Sequence, residues 1–243
     1  MPVQTVSLLG WSVHIIPQGR VEDYGQLLLA HLETNRGSQV ITFNPEMAMA
    51  AQRDPEFAAL LGQAEWLIPD GAGVVWALRR RGIPVERCPG IELAAWLIAA
   101  CAQRGWGVAL IGATPEVNQE AVAYWQAQSP SLAMWGQHGY CGPGDLPGIQ
   151  AYLQNFAPRL VLVGMGSPRQ ERWIQAQRGL LPQALWMGVG GSFDIWAGKK
   201  QRAPQWWRDH HLEWLYRLYQ EPWRWRRMLA LPHFAWAVLR QQE

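Results

Sequence analysis

The sequence predicts an α/β fold, a mainly parallel sheet with helices on both faces, carrying a basic, tryptophan-rich helical appendage. Short apolar or β-rich runs alternate along the chain with helical patterns, an alternation that builds parallel sheets covered on both sides. A chain of 243 residues with 49% hydrophobic content buries a substantial core. Charge and aromatic content then divide it. Residues 1–200 carry 14 positive and 15 negative groups, whereas 201–243 carry seven and four, together with six of the 16 tryptophans. The basicity belongs to the end of the chain.

Taken in order, strands are expected over 39–44, 66–69, 108–112, 160–164 and 185–189. Helices are expected over 46–61, 72–81, 91–104, 115–128 and 168–179. The Gly/Pro-rich stretch 139–148, with CGPGDLPG at its heart, is a loop before a short helix near 149–155. No internal repeat or low-complexity segment is present. The body ends near Arg202-Ala203-Pro204, which gives an α/β domain over 1–204 and a helical appendage over 205–243. The sheet is complete within the first, so the body is expected to fold without the second.

Several function classes are excluded. Cys88, Cys101 and Cys141 are odd in number and form no CxxC pair, so neither a disulfide framework nor a zinc site is indicated, and a reducing cytoplasmic home follows. The apolar runs 93–102 and 228–239 are too short to span a bilayer, and the start of the chain lacks a signal-peptide pattern, so any membrane contact is expected to be peripheral. There is no DxD pair, HExxH, Walker sequence or GxSxG elbow, and the six histidines make no ligand set. No metal, cofactor or nucleic-acid partner is expected.

In open α/β sheets ligands gather at the carboxyl ends of strands, and four such places stand out. Asn44 ends the first predicted strand, two residues after Thr42, which puts a hydroxyl and a carboxamide at the strand end; Asn44-Pro45 is equally an ordinary helix N-cap with proline at the first position. Asp70 stands at a strand-to-helix turn with Gly71 and Gly73. As an N-cap it would accept backbone N–H bonds and be a poor base, whereas facing a closed pocket it would be desolvated and more basic. Both readings stay open. Gly164-Met165-Gly166-Ser167-Pro168-Arg169-Gln170 presents backbone N–H groups at a helix start, suited to a pyrophosphate, without being a GxGxxG fingerprint; Ser167 to Gln170 also reads as a capping box. The fourth, 189–204, reads as a flexible loop.

The appendage alternates guanidinium groups with large rings between residues 211 and 227. Arginine forks bind phosphate oxygens, and Trp and Tyr favour a boundary that is apolar on one side and wet on the other, so a lipid headgroup layer meets both demands. Arg217, Arg224 and Arg227 would share a face of a continuous helix, which Pro222 is placed to break.

PDGAGVVWALRRRG from Pro69, RCPGIEL from Arg87, LIGATPE from Leu110, VGMGSPRQE from Val163, VGGSFDIWAG from Val189 and RAPQWWRDHHLEWLYRLYQEPWRWRRM from Arg202 closely resemble the WecG/TagA/CpsF family, glycosyltransferase family 26. The resemblance is collinear over roughly residues 8–230 and implies a Rossmann-like sheet. It implies an inverting enzyme that moves an N-acetylhexosamine, N-acetylmannosamine or a related sugar, from a UDP donor to an undecaprenyl-diphosphate-linked sugar in cell-surface polysaccharide synthesis. It implies Asp70 as general base, Thr42, Asn44, Arg87 and Gln170 around the substrate, and Arg217, Arg224 and Arg227 on the lipid diphosphate. The place of action would be the inner face of the bacterial plasma membrane, with oligomeric state, homo-oligomer included, left open. Arg169 stands where the family often has lysine, and the CGPGDLPG loop is idiosyncratic. The competing reading is a non-catalytic module that holds a nucleotide-sugar and docks on anionic lipid.

Overall fold

A computed structural model describes residues 2–241; the last two positions of the predicted appendage, 242 and 243, lie outside the described residues. The chain opens with an antiparallel hairpin of β1 (Gln4–Leu8) and β2 (Trp11–Ile15), turned through Leu9 and Gly10, both at positive φ. Helix α1 (Val21–Glu33) follows, and neither it nor the hairpin was expected from the sequence. Strand β3 (Ser38–Phe43) leads into α2 (Pro45–Ala51) and α3 (Pro55–Gln63). The single helix expected over 46–61 is thus two. Asp54 accepts a hydrogen bond from Phe57 N at 3.0 Å, and Pro55 occupies the first helical position, so a new helix begins there.

Strand β4 (Trp66–Pro69), α4 (Ala72–Arg80), α5 (Gly90–Gln103), β5 (Val108–Gly112) and α6 (Pro115–Gln128) fall where expected. A short unexpected strand, β6 (Met134–Gln137), precedes α7 (Leu146–Phe156). Strand β7 (Leu160–Gly164), α8 (Arg169–Gln177) and β8 (Leu185–Gly188) complete the body. Helix α8 starts with Pro168 as its cap and no side-chain cap bond, so the Ser167 capping box does not form. The segment read as a flexible loop contains α9 (Ser192–Trp196), anchored by buried Phe193 and Trp196 one turn apart.

The main sheet has six parallel strands in the order β4-β3-β8-β7-β5-β6. Alternation along each strand supplies both faces. In β7, Leu160 and Leu162 join Tyr24, Leu28 and Leu97 on one side, while Val161 and Val163 join Ile174 and Trp186 on the other. Every residue of β5, β7 and β8 is buried.

The appendage comprises α10 (Gln205–Asp209), α11 (Glu213–Gln220), α12 (Trp225–Met228) and α13 (Ala230–Arg240). A 3₁₀ turn at Pro222–Arg224 separates α11 from α12, because proline lacks the N–H that would continue the ladder. The appendage is not detached from the body. Helix α13 lies against α2 and α4, and its Phe234 and Val238 are fully withdrawn into the cluster formed by Phe43, Met47, Val74 and Leu78. A β-carbon on Gly73 would come within 2.7 Å of Pro45 Cγ, so this glycine lets the starts of α4 and α2 approach, and the Phe234 ring packs beside it at ordinary contact distance. A cut after Pro204 therefore leaves the sheet complete but uncovers this apolar face.

Phe234→Ala is predicted to destabilise the protein by about 3–5 kcal/mol, the usual cost of an emptied aromatic site. Urea denaturation followed by tryptophan fluorescence measures it. Limited proteolysis of the variant is expected to cleave first between residues 205 and 229.

Candidate active site

A cleft of about 840 Å³ opens at the carboxyl ends of β3, β4, β7 and β8, with the appendage as its outer wall. Thr42, Asn44, Asp70, Arg87, Gln170, Arg217, Arg224 and Arg227, the residues singled out from the sequence, all line it. The expected continuous helical face for the three tail arginines does not exist: Arg217 is on α11, Arg224 in the 3₁₀ turn and Arg227 on α12. Convergence on the cleft brings them together instead.

The floor is set by strand ends tied to one another. Asp70 N donates to Phe43 O at 2.9 Å and Cys88 N to Pro69 O at 3.0 Å, which fixes the ends of β3 and β4 and the loop bearing Arg87. Asn44 does cap α2, its Oδ1 accepting from Met47 N at 3.0 Å. Asp70 does not cap α4. That place belongs to Gly71, at φ +82°, a conformation glycine adopts without strain. Asp70 lies one residue earlier, Oδ1 accepting from Gly71 N at 2.6 Å and Oδ2 standing 3.5 Å from Gly90 N. A β-carbon at Gly90 would come within 2.8 Å of Thr42 Oγ1, so the absence of a side chain there brings Thr42, Asp70 and the start of α5 into contact.

Gln170 is buried with its amide committed internally. Its Oε1 accepts from Gly190 N at 2.9 Å and its Nε2 donates to Glu171 Oε1 at 2.7 Å, so it braces the loop after β8 against α8. Glu171 is also buried, and burial raises its pKa against the opposing hydrogen bonds from Gln170 and Ser167.

The outer wall holds alternating charges. Glu213 pairs with Arg87 and, at 2.8 Å, with Arg217; Glu221 pairs with Arg224 and with Lys200, each at 3.0 Å; Glu46 pairs with Arg227 at 3.1 Å. Arg87 Nε also stands 3.4 Å from Asp70 Oδ1. These carboxylates were not expected at the site from the sequence, although Glu213 and Arg217 are spaced i, i+4 and Glu221 and Arg224 i, i+3.

Asp70 is 24% exposed at its side chain, yet the carboxyl group lies deep enough that desolvation dominates and raises its pKa. Arg87 and Arg217 work against the rise, and Glu213 adds to it. For Arg87, burial disfavours the charge, but Asp70 and Glu213 more than offset it and raise its pKa. Such a carboxylate, next to backbone N–H groups and facing cations, suits proton acceptance beside a phosphorylated substrate. Among the described residues no three His, Cys, Asp or Glu side chains gather as a metal-ligand set, and no helix is long and apolar enough to cross a membrane.

A glycine-lined α/β cleft with a desolvated aspartate on its floor and arginines on its wall has the form of an enzyme active site. Residues 6–243 match the model of the Glycosyl transferase WecG/TagA/CpsF family, and the chain belongs to that family. Over 221 residues it is 36% identical to the N-acetylglucosaminyldiphosphoundecaprenol N-acetyl-beta-D-mannosaminyltransferase of Bacillus spizizenii strain W23, covering 88% of this chain and 85% of that one. It is 34% identical over 215 residues to the protein of the same name from Bacillus subtilis strain 168, covering 88% and 83%.

The raised pKa of Asp70 has a stability consequence. Because its folded value exceeds the unfolded one, its contribution is most favourable below the unfolded pKa and is lost as pH rises through the folded value. Asp70→Asn is therefore predicted to be more stable than the parent at neutral pH, with the advantage disappearing in acid where Asp70 is protonated. Thermal unfolding of both proteins across that range is the check.

Proposed function

We propose that the protein transfers an N-acetylhexosamine, N-acetylmannosamine in the first instance, from a UDP donor to an undecaprenyl-diphosphate-linked N-acetylglucosamine, with inversion at the anomeric carbon. The names of the Bacillus relatives support the sugar and the acceptor. The observation that carries the mechanism is Asp70, desolvated on the cleft floor opposite Arg217, Arg224 and Arg227. Asp70 takes the proton of the acceptor hydroxyl as its oxygen attacks the anomeric carbon, and the bond from that carbon to the UDP oxygen breaks. Thr42, Asn44 and Arg87 contact the substrates, and Gln170 holds the Gly190 loop against them. Leaving diphosphate charge is met by arginines and backbone N–H groups, with no metal required.

The appendage, residues 205–243, is proposed to bind both the lipid diphosphate and the cytoplasmic membrane surface. Trp206, Trp214, Trp223, Trp225 and Trp236 are exposed, and Trp207 is half-buried against Tyr216. Exposed rings interleaved with arginines suit a headgroup layer.

Asp70→Asn is predicted to lower turnover by about 100-fold to 10,000-fold while remaining folded. Arg217→Ala, Arg224→Ala and Arg227→Ala are each expected to reduce transfer to a short-chain, water-soluble lipid-diphosphate acceptor. Mass spectrometry of the product from a panel of UDP-sugars measures both. Donor binding without transfer in any arm would return the protein to a nucleotide-sugar and anionic-lipid binding module.

Turnover is further predicted to survive exhaustive EDTA treatment. Strict dependence on added magnesium or manganese would defeat the arginine account. Sedimentation with anionic vesicles is expected to weaken with salt, since each basic residue near such a surface contributes about 1 kcal/mol.

A further inference from the structure

Glu213 is the one buried carboxylate among the described residues of the appendage, 5% exposed at the first position of α11. Two guanidinium groups share it: Arg87 from the body on Oε2, and Arg217 from the next turn of α11 on Oε1. Arg87 thus directs its short contact to the appendage, while toward Asp70 it offers only Nε at 3.4 Å, a buried nitrogen without a hydrogen-bond partner. A cation poised between two carboxylates is divided according to how firmly each holds it.

We propose that Glu213 is a positioning residue that sets the basicity of Asp70, holding the Arg87 guanidinium on the appendage side so that it does not close onto the aspartate. The inference rests on the reading of Asp70 as general base, and it makes a competent base conditional on a docked appendage. The surroundings are consistent. Burial raises the pKa of Asp70 and the charge of Glu213 adds to the rise, against Arg87 and Arg217. Burial also pushes the pKa of Glu213 up, but Arg217, Arg87 and Arg202 more than reverse this, so it stays ionised. The other groups facing the cluster are Glu92 of α5, tied to Arg202 and Arg208, His211 before α11, and the Cys88 thiol, whose pKa burial and Asp70 hold well above the usual value. Neutralising Glu213 removes a repulsive charge and releases Arg87, and both changes favour ionised Asp70.

The test uses the full chain with a soluble acceptor. The pH dependence of kcat/KM is measured for the parent, Glu213→Gln and Glu213→Asp, alongside a carbon-13 NMR titration of the aspartate carboxyls. The Asp70 resonance is assigned by its loss in Asp70→Asn. Glu213→Gln is expected to move the acid limb and the Asp70 titration together to lower pH and to lower the plateau on the order of tenfold, because a weaker base accepts the proton less readily. Glu213→Asp, which keeps the charge, is expected to stay near the parent. If Glu213→Gln does not fold, Glu213→Ser, which admits water beside Arg87, carries the same expectation. An acid limb and Asp70 titration unmoved in a folded charge-removed variant, whatever its plateau, would overturn the proposal and leave Glu213 as an anchor only. If the Asp70 titration moves but Asp70→Asn keeps its turnover, the electrostatic coupling stands and the general-base reading falls.

Discussion

The structure turns on a line of alternating charge that runs from Asp70 through Arg87 and Glu213 to Arg217. Two of its members come from the body and two from the appendage, so it is both the electrostatics of the cleft floor and the join between the two parts. Removing either inner partner, Arg87 or Glu213, is costly because the charge it faces is left uncompensated, whereas the desolvated Asp70 at the end of the line is itself held at a cost. The geometry of the arginine wall and the desolvation of the aspartate therefore depend on the same contacts.

Those contacts need a rigid floor, and the doubly covered sheet supplies one. Strands buried on both faces place Thr42 and Asp70 at adjacent carboxyl ends, and the backbone bond from Asp70 N to Phe43 O locks their relative height. The appendage is anchored at its far end, where Phe234 and Val238 enter the core, while α10 to α12 present much of their surface to solvent. Firm anchorage at α13 is joined by ion pairs along the intervening wall, Glu213 with Arg87, Glu221 with Lys200 and Arg227 with Glu46.

How much of this was legible in the sequence followed from where the determining force lay. The central strands were plain because burial on both faces makes near-continuous apolar runs, as in LVLVG of β7. The hairpin was hidden by its polar alternation, with Ser and His in β2, and by a Leu9-Gly10 turn in place of Asn-Gly. Helix α1 was hidden by Gly25 in its interior, which is there because the Trp96 ring packs where a β-carbon would project, and by the absence of a Ser, Thr, Asp or Asn cap. At the site, strand-end positions and motif resemblance located Thr42, Asn44, Asp70 and Gln170. They left the capping role of Asp70 open, which the positive φ at Gly71 decides. Glu213 carried no local sign of burial, because an acid at a helix start is ordinarily solvated and only docking of α11 on Arg87 withdraws it.

A double-mutant cycle between Arg87 and Glu213 tests most directly whether body and appendage form one catalytic unit. The measured quantity is kcat/KM for a water-soluble acceptor in the parent, Arg87→Gln, Glu213→Gln and the double variant. The account predicts strong non-additivity, a coupling of about 1–3 kcal/mol, as expected for residues in one buried charge network. Effects that add to within about 0.5 kcal/mol would mean that the two side chains act independently, and would contradict it.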